Sequence, residues 1–242
     1  NDNFEIIDLN KIEVNKLPEL EQLILHKLYS LNFNFKKNFE NYDFHNLYKE
    51  LLNFCTIDLS AFYFDIRKDT LYCDPLNSEK RKATIFILNI ILNSLMKWFA
   101  PILSFTTEEI YRLLFKDKKS VHLEKFLHFP DNFKNEKLNE KWKDLIKIRN
   151  ICNASIEEKR VSKEIGSSLE AELKIEINKS LKDLTQNIDF SELCITSKAD
   201  VIYINSEETK VTTKKAKGLK CSLCWKINDK PCQRASCPKR SE

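Results

Sequence analysis

Glycine and proline are nearly absent: the 242-residue chain holds two Gly and six Pro. That scarcity argues against a turn-rich β-sandwich. It also leaves no glycine-rich phosphate cradle, since neither G-x-G-x-x-G nor G-x-x-x-x-G-K-[ST] occurs in the sequence. No apolar stretch is long enough for a membrane span. The longest, around Ala83 to Met96, is broken by Thr84, Asn89, Asn93 and Ser94 and is followed by Lys97. The N-terminal residues Asn1, Asp2, Asn3, Phe4 and Glu5 have no basic segment leading into an apolar one, so no signal peptide is expected, and the lack of an initiator Met suggests a chain cut from something longer. A cytoplasmic, membrane-free setting is the expectation.

What is present is core-forming material and unevenly placed charge. Hydrophobic residues make up 42% of the chain and include 16 Phe, while 31% charged residues keep the surface soluble. The net charge is +4, yet residues 207–242 alone carry ten Lys/Arg against four Asp/Glu, leaving the preceding residues at −2. Four of the eight cysteines lie in the same basic tail.

Apolar spacing of three and four predicts a run of amphipathic helices. Leu20, Leu23, Ile24, Leu28, Leu31, Phe35 and Phe39 mark the first, behind Pro18. A long second helix is expected from an Asp43 cap to about Lys68, a third from Ser78 to Pro101, and a fourth from Thr106 to Phe115 with a hydroxyl cap and the acidic first turn Glu108-Glu109. A fifth spans about Glu140 to Arg160. Alternation then takes over in Ala171-Glu-Leu-Lys-Ile-Glu-Ile177, with further short strands expected at Leu193–Thr196 and Val201–Ile204. The predicted fold is mainly α: a helical bundle, a small α/β module and a four-cysteine zinc knuckle. Its expected boundaries are residues 1–137 for the bundle, 138–206 for the module, 207–218 for a polar linker and 219–242 for the tail.

The tail reads Cys221-x2-Cys224, seven residues, Cys232-x4-Cys237. Close pairs let each turn present two thiolates to one tetrahedral metal, so a single structural Zn2+ is the expectation. Four thiolates leave no open position for catalysis. Disulfides are the competing reading and require an oxidising compartment. His26, His45, His122 and His128 lie far upstream, and Cys55, Cys73, Cys152 and Cys194 read as small core residues. Zinc bound by four thiolates contributes −2, so the tail stays basic on metallation. Trp225 either packs over the knuckle as a miniature core or offers a stacking face to an unpaired base. Lys220, Trp225, Lys226 and Arg234 are the tail's candidates for nucleic-acid contact; Arg67, Lys68, Lys80, Arg81 and Lys82 are those of the bundle. The competing reading for exposed basic residues is an ordinary solvated face. Adjacent carboxylates such as Glu108/Glu109 and Glu157/Glu158 point to different helix faces and read as surface charge, not acid–base machinery.

Asn53-Phe-Cys-Thr-Ile-Asp-Leu-Ser-Ala-Phe-Tyr-Phe-Asp-Ile-Arg-Lys-Asp-Thr-Leu-Tyr-Cys-Asp74 closely resembles the anticodon-binding helical domain of bacterial-type isoleucyl-tRNA synthetases. Phe99-Ala-Pro-Ile-Leu-Ser-Phe-Thr-Thr-Glu-Glu-Ile110 resembles a stretch of that domain with related versions in the valyl and leucyl enzymes, whereas Ile165-Gly-Ser-Ser-Leu-Glu-Ala171 and Lys220-Cys-x2-Cys-Trp225 resemble the isoleucyl family in particular. The resemblance implies a bundle that grips the anticodon stem-loop of tRNA(Ile), a small mixed module, and a zinc-bearing end that helps hold the tRNA. It also implies catalytic and editing domains upstream in the same polypeptide, and a monomeric, ATP-using parent ligase. The His-x-Gly-His and Lys-Met-Ser-Lys-Ser signatures of the family are missing here, so no ATP site is expected in this chain. The second cysteine pair also departs from the family's usual Cys-x2-Cys and longer spacer. The other readings are a stand-alone zinc-containing RNA-binding module without ligase activity, the equivalent region of a valyl- or leucyl-type synthetase, and a helical scaffold with a zinc clip.

Overall fold

A computed structural model describes residues 8–115 and 120–229. In chain order its elements are α1 (Glu19–Glu40), α2 (Phe44–Asn53), a π-type segment (Phe54–Phe64), α3 (Asp65–Cys73), α4 (Glu79–Phe99), α5 (Ser104–Leu114), α6 (Glu136–Val161), β1 (Ala171–Asn178), α7 (Lys182–Thr185), α8 (Phe190–Leu193), β2 (Lys198–Ile204), β3 (Lys210–Lys215), β4 (Leu219–Lys220) and β5 (Ile227–Asn228), with short 3-10 turns between some of them. The fold is mainly helical with a small sheet module. Two compact units are formed, one from Asn1–Asp65 with Leu76–Glu136 and the other from Ile66–Pro75 with Lys137–Glu242. Among the described residues no helix is long and apolar enough to cross a membrane.

The first unit is built around α1, whose predicted stripe is buried at Leu20, Leu23, Ile24, Leu28, Leu31 and Phe35 and half-buried at its last member, Phe39. α1 and α4 run parallel. Near their starts the Thr84 hydroxyl donates to Glu21 Oε1 at 3.2 Å, and farther along the Trp98 indole N–H donates to Asn32 Oδ1 at 3.3 Å. The turns that follow the two helices, α1–α2 and α4–α5, therefore lie at one end of this unit. Asp43 caps α2 by accepting from Asn46 N at 3.2 Å, as the sequence predicts, and Ser78, where the third helix is expected to start, caps α4 by accepting from Arg81 N at 3.4 Å.

The long second helix does not stay α-helical. From Phe54 to Phe64 the winding widens, and Thr56 Oγ1 donates back to the carbonyls of Leu52 (2.8 Å) and Asn53 (3.5 Å). The wider turn brings Phe54 and Leu59 both into the core, a spacing closer to the π repeat than to the α repeat.

α5 also differs from expectation. It starts at Ser104, and Leu103 at its N-cap position offers no side-chain bond. Glu108 is consequently a mid-helix clamp: its carboxylate accepts from Arg112 Nε at 2.6 Å, Ser120 Oγ at 2.8 Å and Val121 N at 2.9 Å. The Arg112 contact leads, with the Ser120 hydroxyl next, in lowering the Glu108 pKa from an ordinary 4.5 to about 2. A depressed carboxyl pKa contributes stability that is fully present above 4.5 and lost as pH falls toward 2. Acid unfolding of this unit should therefore carry a component in that window that Glu108→Gln removes. Circular dichroism against pH tests it, and superimposable acid limbs for the two proteins would refute the clamp.

In the second unit a three-stranded sheet is ordered β2-β1-β3, with β1 parallel to β2 and antiparallel to β3. A parallel pair needs a crossover, and residues 179–197 with α7 and α8 supply it. Ala171, Leu173, Ile175 and Ile177 of β1 are fully buried, while Glu172, Lys174 and Glu176 point the other way. α6 lies against the buried face, where the Ser155 and Thr213 hydroxyls meet at 2.7 Å. Two expectations are corrected. Leu193–Thr196 is not a strand but the end of α8 and the turn after it, with Ile195 in the left-handed region at φ 56°. The 207–218 linker contains β3, which pairs with β1 from Ala171↔Lys215 to Glu176↔Lys210. A Lys/Thr-rich strand reads as linker because its outward face is polar and only Thr213 of its residues is buried.

Candidate functional site

The described part of the cysteine tail is a small hairpin in which β4 pairs antiparallel with β5 through Leu219↔Asn228 and Lys220↔Ile227. Between the strands the chain folds into a tight knuckle. Cys221 N donates to Lys226 O at 2.9 Å, Trp225 N donates to Cys221 O at 3.0 Å, and Leu223 N points at Cys221 Sγ at 3.4 Å. An amide N–H aimed at a cysteine sulfur is a donor that a metal-bound thiolate can accept. Cys221 and Cys224 are both buried.

A third thiol closes this cluster. Cys73, at the end of α3, packs against Cys221, Cys224 and Leu223, and its Sγ donates to Leu223 O at 3.9 Å. Sequence reasoning placed Cys73 in a core without finding which core. Nothing in the spacing from Cys73 to Cys221 signals the contact. Among the described residues no group of three or more His, Cys, Asp or Glu has the arrangement to hold a metal. Cys232 and Cys237 lie outside the described residues, as does Arg234.

The hairpin is anchored through the segment Ile165–Ala171. Glu170 O accepts from Ala216 N at 2.8 Å, while the Glu170 carboxylate accepts from Gly166 N at 3.0 Å and Lys220 Nζ at 3.2 Å. The Gly166 amide first, then Lys220, hold this carboxyl below its usual pKa. Ser197 adds a second tie: its Oγ donates to Leu169 O and accepts from Ile227 N at 2.6 Å. Gly218 enters β4 at φ +122°, and a Cβ there would sit 2.3 Å from Asn228 O and 2.5 Å from Asn228 C. Both are backbone atoms of the paired strand and cannot swing aside. Gly218→Ala should therefore cost about 2–3 kcal/mol and open the hairpin. Faster amide exchange at Cys221 and Ile227 reports it, and unchanged protection would refute it.

The predicted nucleic-acid contacts fall into different environments. Arg67 is a correction: it is 3% exposed, and its Nη1 pairs with Glu192 Oε1 at 2.6 Å. Its guanidinium is a structural tie within the second unit: the buried Arg67 would have to give up its packing and its half-buried partner Glu192 to reach a phosphate. Lys68 is exposed. In the first unit Lys80 and Arg81 are half-buried in the first turn of α4 and Lys82 is exposed, bridged to Glu79 at 2.8 Å. Lys80 and Lys82 line an open cleft of about 700 Å³ shared with Lys11, Lys16, Leu17 and Phe86. Lys220 is exposed apart from its Glu170 bridge, and Lys226 is half-buried. Trp225 is 61% exposed and occupies the left-handed region at φ 60°. A bulky residue is rarely held there, and here the backbone turns the indole outward, away from any core.

The helical part of the chain, through the first strand of the sheet, matches one known family directly. The family model described as the anticodon-binding domain of tRNA ligase matches residues 21–177. The chain belongs to this family. Among curated relatives, it is 61% identical over 236 residues to isoleucine–tRNA ligase of Pelagibacter ubique, covering 98% of this chain and 26% of that protein. Isoleucine–tRNA ligases of Bartonella henselae and Agrobacterium fabrum are each 40% identical, covering 87% of this chain and 23% of each relative. The chain thus spans about a quarter of the length of the curated relatives it matches. The family match runs from α1 to the end of β1, so it takes in the Asn53–Asp74, Phe99–Ile110 and Ile165–Ala171 segments.

Proposed function

We propose that this chain is the tRNA-binding C-terminal portion of an isoleucine–tRNA ligase, positioning tRNA(Ile) for ATP-dependent aminoacylation carried out by catalytic and editing domains elsewhere in the polypeptide. The observation that carries this reading is the 61% identity over 98% of the chain to a protein of that name. Binding energy gathered far from the reacting atoms serves to orient the acceptor end, so the chain contributes to the reaction without touching ATP or the amino acid. Phosphate contacts fall to exposed cations such as Lys68, Lys82 and Lys220, and their number sets the salt dependence.

Within this reading the tail holds one structural zinc through Cys221, Cys224, Cys232 and Cys237. The knuckle that presents Cys221 and Cys224 from one turn, with an amide aimed at sulfur, has the donor chemistry such a site requires. Bound zinc would supply a crosslink between the two cysteine pairs and no reaction chemistry. Trp225, held outward on the knuckle, is then a stacking face beside Lys220 and Lys226.

Titrating the chain with tRNA(Ile) and with a non-cognate tRNA at two salt concentrations tests the proposal. Tighter binding of tRNA(Ile), weakening as salt rises, is expected; equal affinity for both tRNAs or a flat salt response would count against it.

A further inference from the structure

We propose that Cys73 is a positioning residue for the zinc site proposed above: its thiol braces the turn between Cys221 and Cys224 through Leu223, and so couples zinc occupancy to the end of α3. This rests on the zinc reading of the tail and adds to it a residue from outside the tail, with the contact through which it acts.

Three observations lead there. The first is the helix that carries the thiol. Ile66, Arg67, Thr70 and Cys73 recur at helical spacing along one side of α3 and are all buried, while Lys68 and Tyr72 are exposed. Arg67 ties the buried side to Glu192 at 2.6 Å, so Cys73 ends a helix whose place in the second unit is fixed. The second is where the thiol lands. Cys73, Cys221 and Cys224 form one buried cluster with Leu223 packed against it, although Cys73 and Leu223 are 150 residues apart in the chain. The third is how Leu223 is held. Its N–H points at Cys221 Sγ at 3.4 Å and its carbonyl accepts from Cys73 Sγ at 3.9 Å. Both of its peptide groups are thus engaged, one by a cysteine of the proposed site and one by α3.

The consequence follows from how the hairpin is attached. Its strands are tied elsewhere, Lys220 to the Glu170 carboxylate and Ile227 N to Ser197 Oγ. Those ties act on the strands; Cys73 acts on the turn that presents the thiolates. Groups just outside a metal's ligands orient them, and a turn already in its bound shape holds the metal better. Four thiolates complete a tetrahedral zinc, so Cys73 has no coordination position to fill. Linkage makes the effect reciprocal: a brace that favours zinc binding is itself strengthened by zinc. The last turn of α3, where Asp74 N donates to Thr70 O at 3.2 Å, should therefore be protected by a metal bound in the tail.

The test uses the zinc-loaded 242-residue chain, with excess EDTA to draw the metal off. Cys73→Ala should keep its zinc stoichiometry but bind the metal about 10- to 100-fold more weakly, as for loss of an outer partner of a ligand. Cys73→Ser keeps a donor of similar size and should restore most of that loss. With Co2+ in place of zinc, wild type and Cys73→Ala should show the same absorption bands, since the ligand set is unchanged. Removing zinc from wild type should speed amide exchange at Asp74, and in Cys73→Ala removing zinc should leave that rate where it was. If Cys73→Ala holds zinc as tightly as wild type, or if exchange at Asp74 ignores zinc in wild type, the brace is wrong and the zinc reading stands. Altered cobalt bands in Cys73→Ala would make Cys73 a ligand itself and also overturn the brace. Should Cys73→Ala fail to fold, Cys73→Val, which fills the space but cannot donate, carries the same expectations. A wild type that holds no zinc overturns both.

Discussion

Cys221→Ser is expected to release one zinc per chain and to melt the hairpin from Leu219 to Asn228, and a chelator should do the same to the wild type. The paired part of this hairpin is only Leu219–Lys220 and Ile227–Asn228, too short to persist alone in water. Its apolar support is slight, consisting of Cys73, Cys221, Cys224 and Leu223. Apparent zinc binding in small modules of this kind supplies about 10–16 kcal/mol, and much of that is folding free energy. Serine keeps the size of the side chain but is a far poorer ligand for zinc than a thiolate. Metal content by mass spectrometry, with amide exchange across residues 219–229, reads both effects. The proposed site is wrong if Cys221→Ser retains zinc at wild-type stoichiometry. Exchange in β1 should change little, because the three-stranded sheet has its own core in Leu173, Ile175 and Ile177.

Glu21→Ala should destabilise the first unit by about 3–5 kcal/mol. Glu21 is 0% exposed on α1, where its Oε1 accepts from the Tyr63 and Thr84 hydroxyls, each at 3.2 Å. Tyr63 and Thr84 are themselves fully buried. Removing the shared acceptor takes one contact from each of two buried hydroxyls, Thr84 Oγ1 keeping the Lys80 carbonyl at 2.9 Å, and opens a cavity between α1, the π-type segment and α4. Glu21→Gln keeps an acceptor oxygen in the same place and should cost less than half as much. Urea denaturation separates the variants, and an alanine variant within about 1 kcal/mol of wild type would show that the hydroxyls find other partners.

Periodicity made much of this visible in advance. The α1 stripe, the Asp43 cap and the inward row of β1 are local patterns, and local patterns survive folding because neighbouring residues share one face. Failures came where a distant partner set the outcome. The first turn of α5 looked capped by Thr106 and Thr107, yet Glu108 is committed to the loop at Ser120 and Val121. Arg67 looked like a cation for RNA, yet Glu192, far along the chain, takes it out of solvent. β3 looked like linker because an edge strand with one buried residue has little alternation to detect.

The sequence by itself determined the class of the molecule. Segments 53–74, 99–110 and 165–171 carry family membership, and the cysteine spacing alone argues for a metal knuckle, since both depend on residues close together in the chain. Tertiary structure decided which of the candidate cations are exposed and that Cys73 joins the first cysteine pair. Each of these depends on two segments distant in sequence meeting in space, and no reading of spacing along one chain reports such a meeting.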